Sequence, residues 1–244
     1  MNHKLYTALL FSLFVVTPAM ANPLKTVGIA TVTKDLTTVE FRSSYSIDDK
    51  LEGQDGRVQL RQIIDHGVTD WYALRLTTVQ DNIGVDNIAH DALQLDNRFQ
   101  LFERDEHGFD GGFRLSYVLR DGARKPDVID VRWINQIPFW ETYEFRHHVI
   151  LQHQVGEHRR SGIMPELRWQ VSRPLTGAHR IGLEMFNEFG NVRNGNKFSE
   201  QNHDAGFLIT GPFIGKTRYH TGYRHSISAN SPDHAFKFFV AYDF

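Results

Sequence analysis

From residue 37 to its last residue this sequence alternates. Short runs place apolar and polar side chains at every second position, break at a turn, and alternate again. A period of two is the mark of a β-strand, whose successive side chains point to opposite faces. Twelve such runs can be drawn, at residues 37–46, 57–65, 70–80, 96–104, 111–120, 127–136, 141–155, 163–172, 179–189, 203–211, 217–226 and 234–244. Most have about the 9–11 residues that a tilted strand needs to cross a bilayer. No amphipathic helix interrupts them, and no linker or low-complexity tract divides the chain.

The two faces of these runs differ in kind. One carries Val39, Phe41 and Tyr45, then Leu115, Tyr117 and Leu119, then Val149 and Leu151, then Leu167, Trp169 and Val171. The other carries Glu40 and Arg42, Asp130 and Arg132, Glu144 and Arg146, Glu166 and Arg168. A soluble sandwich would have to bury the apolar face of nearly every strand, and no helix is available to cover it. A sheet closed on itself, with lipid outside and polar groups inside, satisfies both faces and pairs every backbone group. The connections agree. Those such as GNVRNGNKFSEQN and DNIGVDNIAHDALQL are long and polar, and they alternate with short ones such as HGVT, IPFW and RPLTGA. Long outer loops alternating with short periplasmic turns are the habit of outer-membrane barrels. The predicted fold is therefore an all-β, antiparallel transmembrane β-barrel of about twelve strands over residues 37–244, with both termini periplasmic.

The chain opens MNHKLYTALLFSLFVVTPAMA. Lys4, an apolar centre at residues 9–16 and the small residues Ala19 and Ala21 form the pattern of a cleaved signal peptide over residues 1–21. The apolar run is short for a bilayer-spanning helix. Sec-type export is expected, with residues 22–36 forming a periplasmic N-terminal segment. There is no cysteine, so no disulfide framework and no thiolate metal site is available. A formal net charge of −2 argues against general nucleic-acid binding.

The chain ends HAFKFFVAYDF. Phe236, Phe238, Val240, Tyr242 and Phe244 share one face of a final strand. This segment resembles the C-terminal signature of Gram-negative outer-membrane barrel proteins, a terminal aromatic preceded by apolar residues at alternate positions. The resemblance implies that the barrel-assembly machinery reads these five residues, and that the finished protein lies in the outer membrane among lipid and lipopolysaccharide. A narrower likeness covers roughly residues 55–244. The stretches HGVTDWYALRL, LDNRFQLFERDEHGFDGGFRLSYVLR, IGLEMFNEFGNV and SPDHAFKFFVAYDF are similar to an uncharacterised group of small proteobacterial outer-membrane barrels.

The inward face holds the functional candidates. The lumen-lining set is Arg42, Arg75, Arg114, Arg132, Arg146, Arg168, Arg218 and Arg224, with Glu144, Glu166 and Glu184 among them. Arginine keeps its charge and forks onto carboxylates and phosphates, so a column of it favours anions in a pore. The reading is passive passage of small polar, preferably anionic, solutes. In architecture this is similar to the small Arg-lined porins for acidic oligosaccharides. An alternative is a structural barrel whose lumen is closed by ion pairs, with Glu40/Arg42, Asp130/Arg132, Glu144/Arg146 and Glu166/Arg168 pairing across strands.

A third class is an outer-membrane lipid hydrolase. YRHSISAN resembles the His-x-Ser-Asn pattern of lipid A deacylases, but here Ser228 is three residues after His225 and Asn230 does not follow it directly. His225 and Ser226 would point to opposite faces, so no catalytic residue is assigned. His147, His148, His153 and His158 diverge on strand and loop, whereas a tetrahedral metal site needs convergent ligands. Neither a metal nor a cofactor is expected. Phe139, Trp140, Trp169 and Tyr242 suit an interfacial aromatic girdle.

Overall fold

Twelve antiparallel strands carry the alternation: β1 (Thr37–Ile47), β2 (Val58–Gly67), β3 (Tyr72–Asp81), β4 (Ala89–Phe102), β5 (Asp110–Arg120), β6 (Asp127–Phe139), β7 (Tyr143–Val155), β8 (Met164–Thr176), β9 (His179–Glu188), β10 (Asn202–Pro212), β11 (Thr217–Ser226) and β12 (His234–Asp243). The structure is a computed structural model that describes residues 22–49, 54–82, 87–121 and 125–244. The signal peptide expected at residues 1–21 lies outside the described residues. Each strand pairs with its neighbours in sequence, and β1 also pairs with β12, which closes the barrel. Closure leaves no strand edge to satisfy. One helical turn, α1 (Arg104–His107), bridges β4 and β5.

The closed sheet turns its apolar face outward. Phe41, Leu115, Leu183, Phe207 and Phe238 are all exposed. So large a continuous apolar exterior is a surface for lipid rather than water. Inside, buried charges and amides alternate with Ile63, Ile134, Ile150, Phe186, Leu208 and Phe239.

The strands depart from the sequence reading in one place with a clear cause. The loop expected at residues 81–95 is partly strand, because β4 begins at Ala89. The ladder between β3 and β4 shifts register between Val79 and Gln80, so that Val79 faces Ala92 but Gln80 faces His90. Asp91 is the extra residue of a bulge, and it and Ala92 are both buried. A bulge interrupts the period of two, which hides the start of this strand from a periodicity argument. Pro174, inside β8, sits at another register shift, where a missing backbone N–H is tolerated.

Residues 22–36, expected outside the barrel as a periplasmic extension, are found within it. Leu24, Val27, Ala30 and Val32 are buried. The segment has no ladder of its own, so side chains of the wall take that role. Arg224 Nη2 donates to the Asn22 carbonyl (2.9 Å), Arg168 Nη1 to Thr26 (3.3 Å) and His148 Nε2 to Gly28 (3.1 Å). The Val32 N–H in turn donates to Gln100 Oε1 (2.7 Å). At the end of the barrel where β1 starts, the Asp35 N–H donates to the Gly67 carbonyl (2.8 Å) and the Gly67 N–H to that of Leu36 (3.0 Å). A β-carbon on residue 67 would overlap the Thr33 carbonyl oxygen. Glycine there lets the segment turn from β1 into the lumen. Its spacing of apolar residues has neither strand nor helix period, and the reason it enters lies in the wall it meets.

Candidate functional site

Residues i and i+2 of a strand share a face, so an arginine two places from a carboxylate can fold back onto it. Four such pairs form inside: Glu40–Arg42 (2.8 Å), Asp130–Arg132 (3.2 Å), Glu144–Arg146 (2.6 Å) and Glu166–Arg168 (2.7 Å). The sequence reading had them pairing across strands. The structure closes each along its own strand, because register places other side chains opposite. Arg114, for example, lies between Arg98 on β4 and Arg132 on β5's other neighbour, β6.

Pairs between strands form elsewhere. Asp65 on β2 accepts from Arg75 (2.6 Å) and Arg98 (2.9 Å), and Asp204 on β10 accepts from Arg224 (2.9 Å). Glu184 on β9 lies 2.5 Å from Lys237 Nζ on β12. Arg114 reaches Asp96 only at 3.8 Å. Arg218 meets Asp243 at the barrel end and stays half exposed. Two aromatic rings stand among these cations: Arg224 lies 4.7 Å from the centre of Phe186, and Arg42 lies 4.9 Å from that of Phe239. Such contacts favour desolvated cations. Sequence reasoning missed Asp96, Asp204 and Phe186, although Asp96 has the parity of Arg98 and Phe186 that of Glu184.

The segment adds one charge to the site. Lys25 Nζ lies 2.8 Å from Glu166 Oε1 and also pairs with Glu188. Glu166 is 2% exposed and serves Lys25 and Arg168 together. Beside the segment a cavity of about 1220 Å³ remains, reaching from Thr33 and Gly67 near the start of β1 to Asn194 and Asn230 in the loops at the opposite end. Arg42, Arg75, Arg114, Arg132, Arg146, Glu166, Arg168 and Arg218 lie on its wall. Glu144, Glu184 and Arg224 lie off it, bonded within the wall or to the segment.

At the C-terminus the Phe244 N–H donates to the Thr37 carbonyl (2.9 Å), and its ring packs edge-on against Tyr242, 4.7 Å between centres. Phe236, Phe238 and Tyr242 are exposed on the outer face. The serine hydroxyls of YRHSISAN are committed to backbone. Ser226 donates to the Ser228 carbonyl, Ser228 to the Gln201 carbonyl (2.7 Å), and the His225 ring contacts the Asp233 carbonyl (2.8 Å). His147 bonds Asn135 outside, His148 bonds the segment inside, and His153 bonds the Gly162 carbonyl. These rings do not converge.

The architecture is that of an outer-membrane barrel. An outer-membrane channel from Pseudomonas putida F1 superposes with a TM-score of 0.63 at 11% identity, covering 91% of this chain and 100% of that one. The KdgM porin gives 0.58 at 10% identity, covering 85% and 99%. The NanC porin gives 0.55 at 8% identity, covering 84% and 100%. At such identities the likeness is one of fold. No family model matches the sequence, and no curated protein does.

Proposed function

We propose that this barrel lies in a Gram-negative outer membrane, exported by a cleaved signal at residues 1–21, and passes small polar solutes down their gradient with a preference for anions. The cavity carries this reading. Among the described residues on its wall are thirteen arginines and lysines against seven carboxylates. A surplus of one charge between low-dielectric walls concentrates the field and draws in counter-ions. The shared fold with an outer-membrane channel and two porins supports passage in general. The outer face would meet lipid and lipopolysaccharide, and the last strand would engage the barrel-assembly machinery.

One observation favours a second reading, a structural barrel that is shut. Residues 22–36 occupy the lumen and are bonded to its wall. Planar-bilayer conductance with a salt-gradient reversal potential separates the two, using the refolded protein and a variant lacking residues 22–34. The channel reading expects a small anion-preferring conductance that rises in the deletion. Silence in both proteins would sink it.

A further inference from the structure

Most interior arginines are already partnered, which sets one of them apart. Arg61 stands midway along β2 and lines the cavity. Among the described residues no carboxylate or hydrogen-bond acceptor engages its guanidinium, and its Nε is buried without a partner. Directly opposite it on β1 is another cation, Arg42. Like charges directly opposite in a sheet repel. Arg42 is itself held by Glu40 (2.8 Å) and the Thr26 hydroxyl (3.2 Å). Arg42, Arg120, Arg168 and Asp96 line the same cavity.

An arginine kept for stability alone would be expected to hold a carboxylate, as Arg132 and Arg168 do. We infer that Arg61 is the anion-binding residue of the lumen, taking one carboxylate or phosphate group of a solute on its fork of N–H donors. The fork matches such groups with two parallel hydrogen bonds. The surrounding cations supply the field that holds the anion, and the bound group relieves their mutual repulsion. This inference rests on the lumen being a path for solutes.

The test uses the refolded protein in detergent micelles, with inorganic phosphate titrated against sodium chloride at constant ionic strength. The urea unfolding midpoint reports binding, since a ligand that binds only the folded state raises it. The parent should show a saturable rise. Arg61→Gln should weaken the phosphate response at least tenfold, and Arg61→Lys, which keeps the charge without the fork, should fall between. In chloride alone Arg61→Gln should unfold at or above the parent midpoint, because no pair is broken. An undiminished phosphate response in Arg61→Gln overturns the site. So does a chloride midpoint that drops as far as that of Arg168→Gln, which would give Arg61 a structural role. Conductance separates this inference from the one beneath it. A silent parent with an Arg61-dependent phosphate response removes the channel and keeps the site. A conducting parent without that response keeps the channel and removes the site.

Discussion

Lys25 Nζ lies 2.8 Å from Glu166 Oε1, so the segment inside the barrel and the wall of β8 share one carboxylate. Arg168 holds the same group at 2.7 Å. Position of the segment and charge balance of the wall are therefore coupled at Glu166.

Breaking that carboxylate should be costly. Glu166→Gln leaves Arg168 and Lys25 facing each other inside, and removal of one partner from a buried pair costs roughly 3–5 kcal/mol. Lys25→Met should cost less, because Glu166 keeps Arg168 and the methionine stem refills the space. Urea unfolding of the two refolded variants checks the order. Equal midpoints would show that Glu166 is not the shared anchor.

Gly67 gives a way to disturb the segment without touching a charge. Gly67→Ala places a β-carbon on the Thr33 carbonyl oxygen, so the segment has to shift where it leaves β1. The expected outcome is a larger single-channel conductance with the barrel intact by circular dichroism. A conductance equal to the parent's would mean that the segment does not limit flow.

Replacing Arg132, Arg146 and Arg168 together by glutamine removes three cations from the cavity wall. Anion preference, read from the reversal potential in a salt gradient, should fall. Stability should fall too, because Asp130, Glu144 and Glu166 lose partners at 3.2, 2.6 and 2.7 Å. Unchanged selectivity in a conducting parent counts against a role for these arginines in passage.

Phe244 fastens the seam between first and last strands through its N–H to Thr37. Deleting it, or changing it to aspartate, should lower the yield of heat-modifiable barrel in membranes. Normal yield and mobility in both variants would detach assembly from this residue.

The orientation is open to labelling. With both termini periplasmic, a cysteine at Asn194, between β9 and β10, should react with an impermeant reagent in intact cells. A cysteine at Glu106, in the turn between β4 and β5, should not. Reaction at both positions would refute the orientation.

The twelve-strand barrel was legible in the sequence because a period of two survives any arrangement of neighbours. Val39, Phe41 and Tyr45 point one way and Glu40 and Arg42 the other as soon as the backbone is extended. That Glu40, Asp130, Glu144 and Glu166 share a face with Arg42, Arg132, Arg146 and Arg168 was legible for the same reason, but not that each pair closes along its own strand. Two further things required the tertiary structure. The bulge at Asp91 depends on how β3 and β4 register, and no local pattern announces it. The place of residues 22–36 depends on an acceptor from β4 and donors from β7, β8 and β11, which are brought to one axis only when the sheet closes. The solitary state of Arg61 has the same origin. Its sequence shows only that Gln59 stands two places before it, where the paired arginines have a carboxylate; closure then sets Arg42 opposite, while Glu40 and Asp65 bind other arginines. Alternation is a property of the chain, whereas charge balance inside a barrel is a property of its closure.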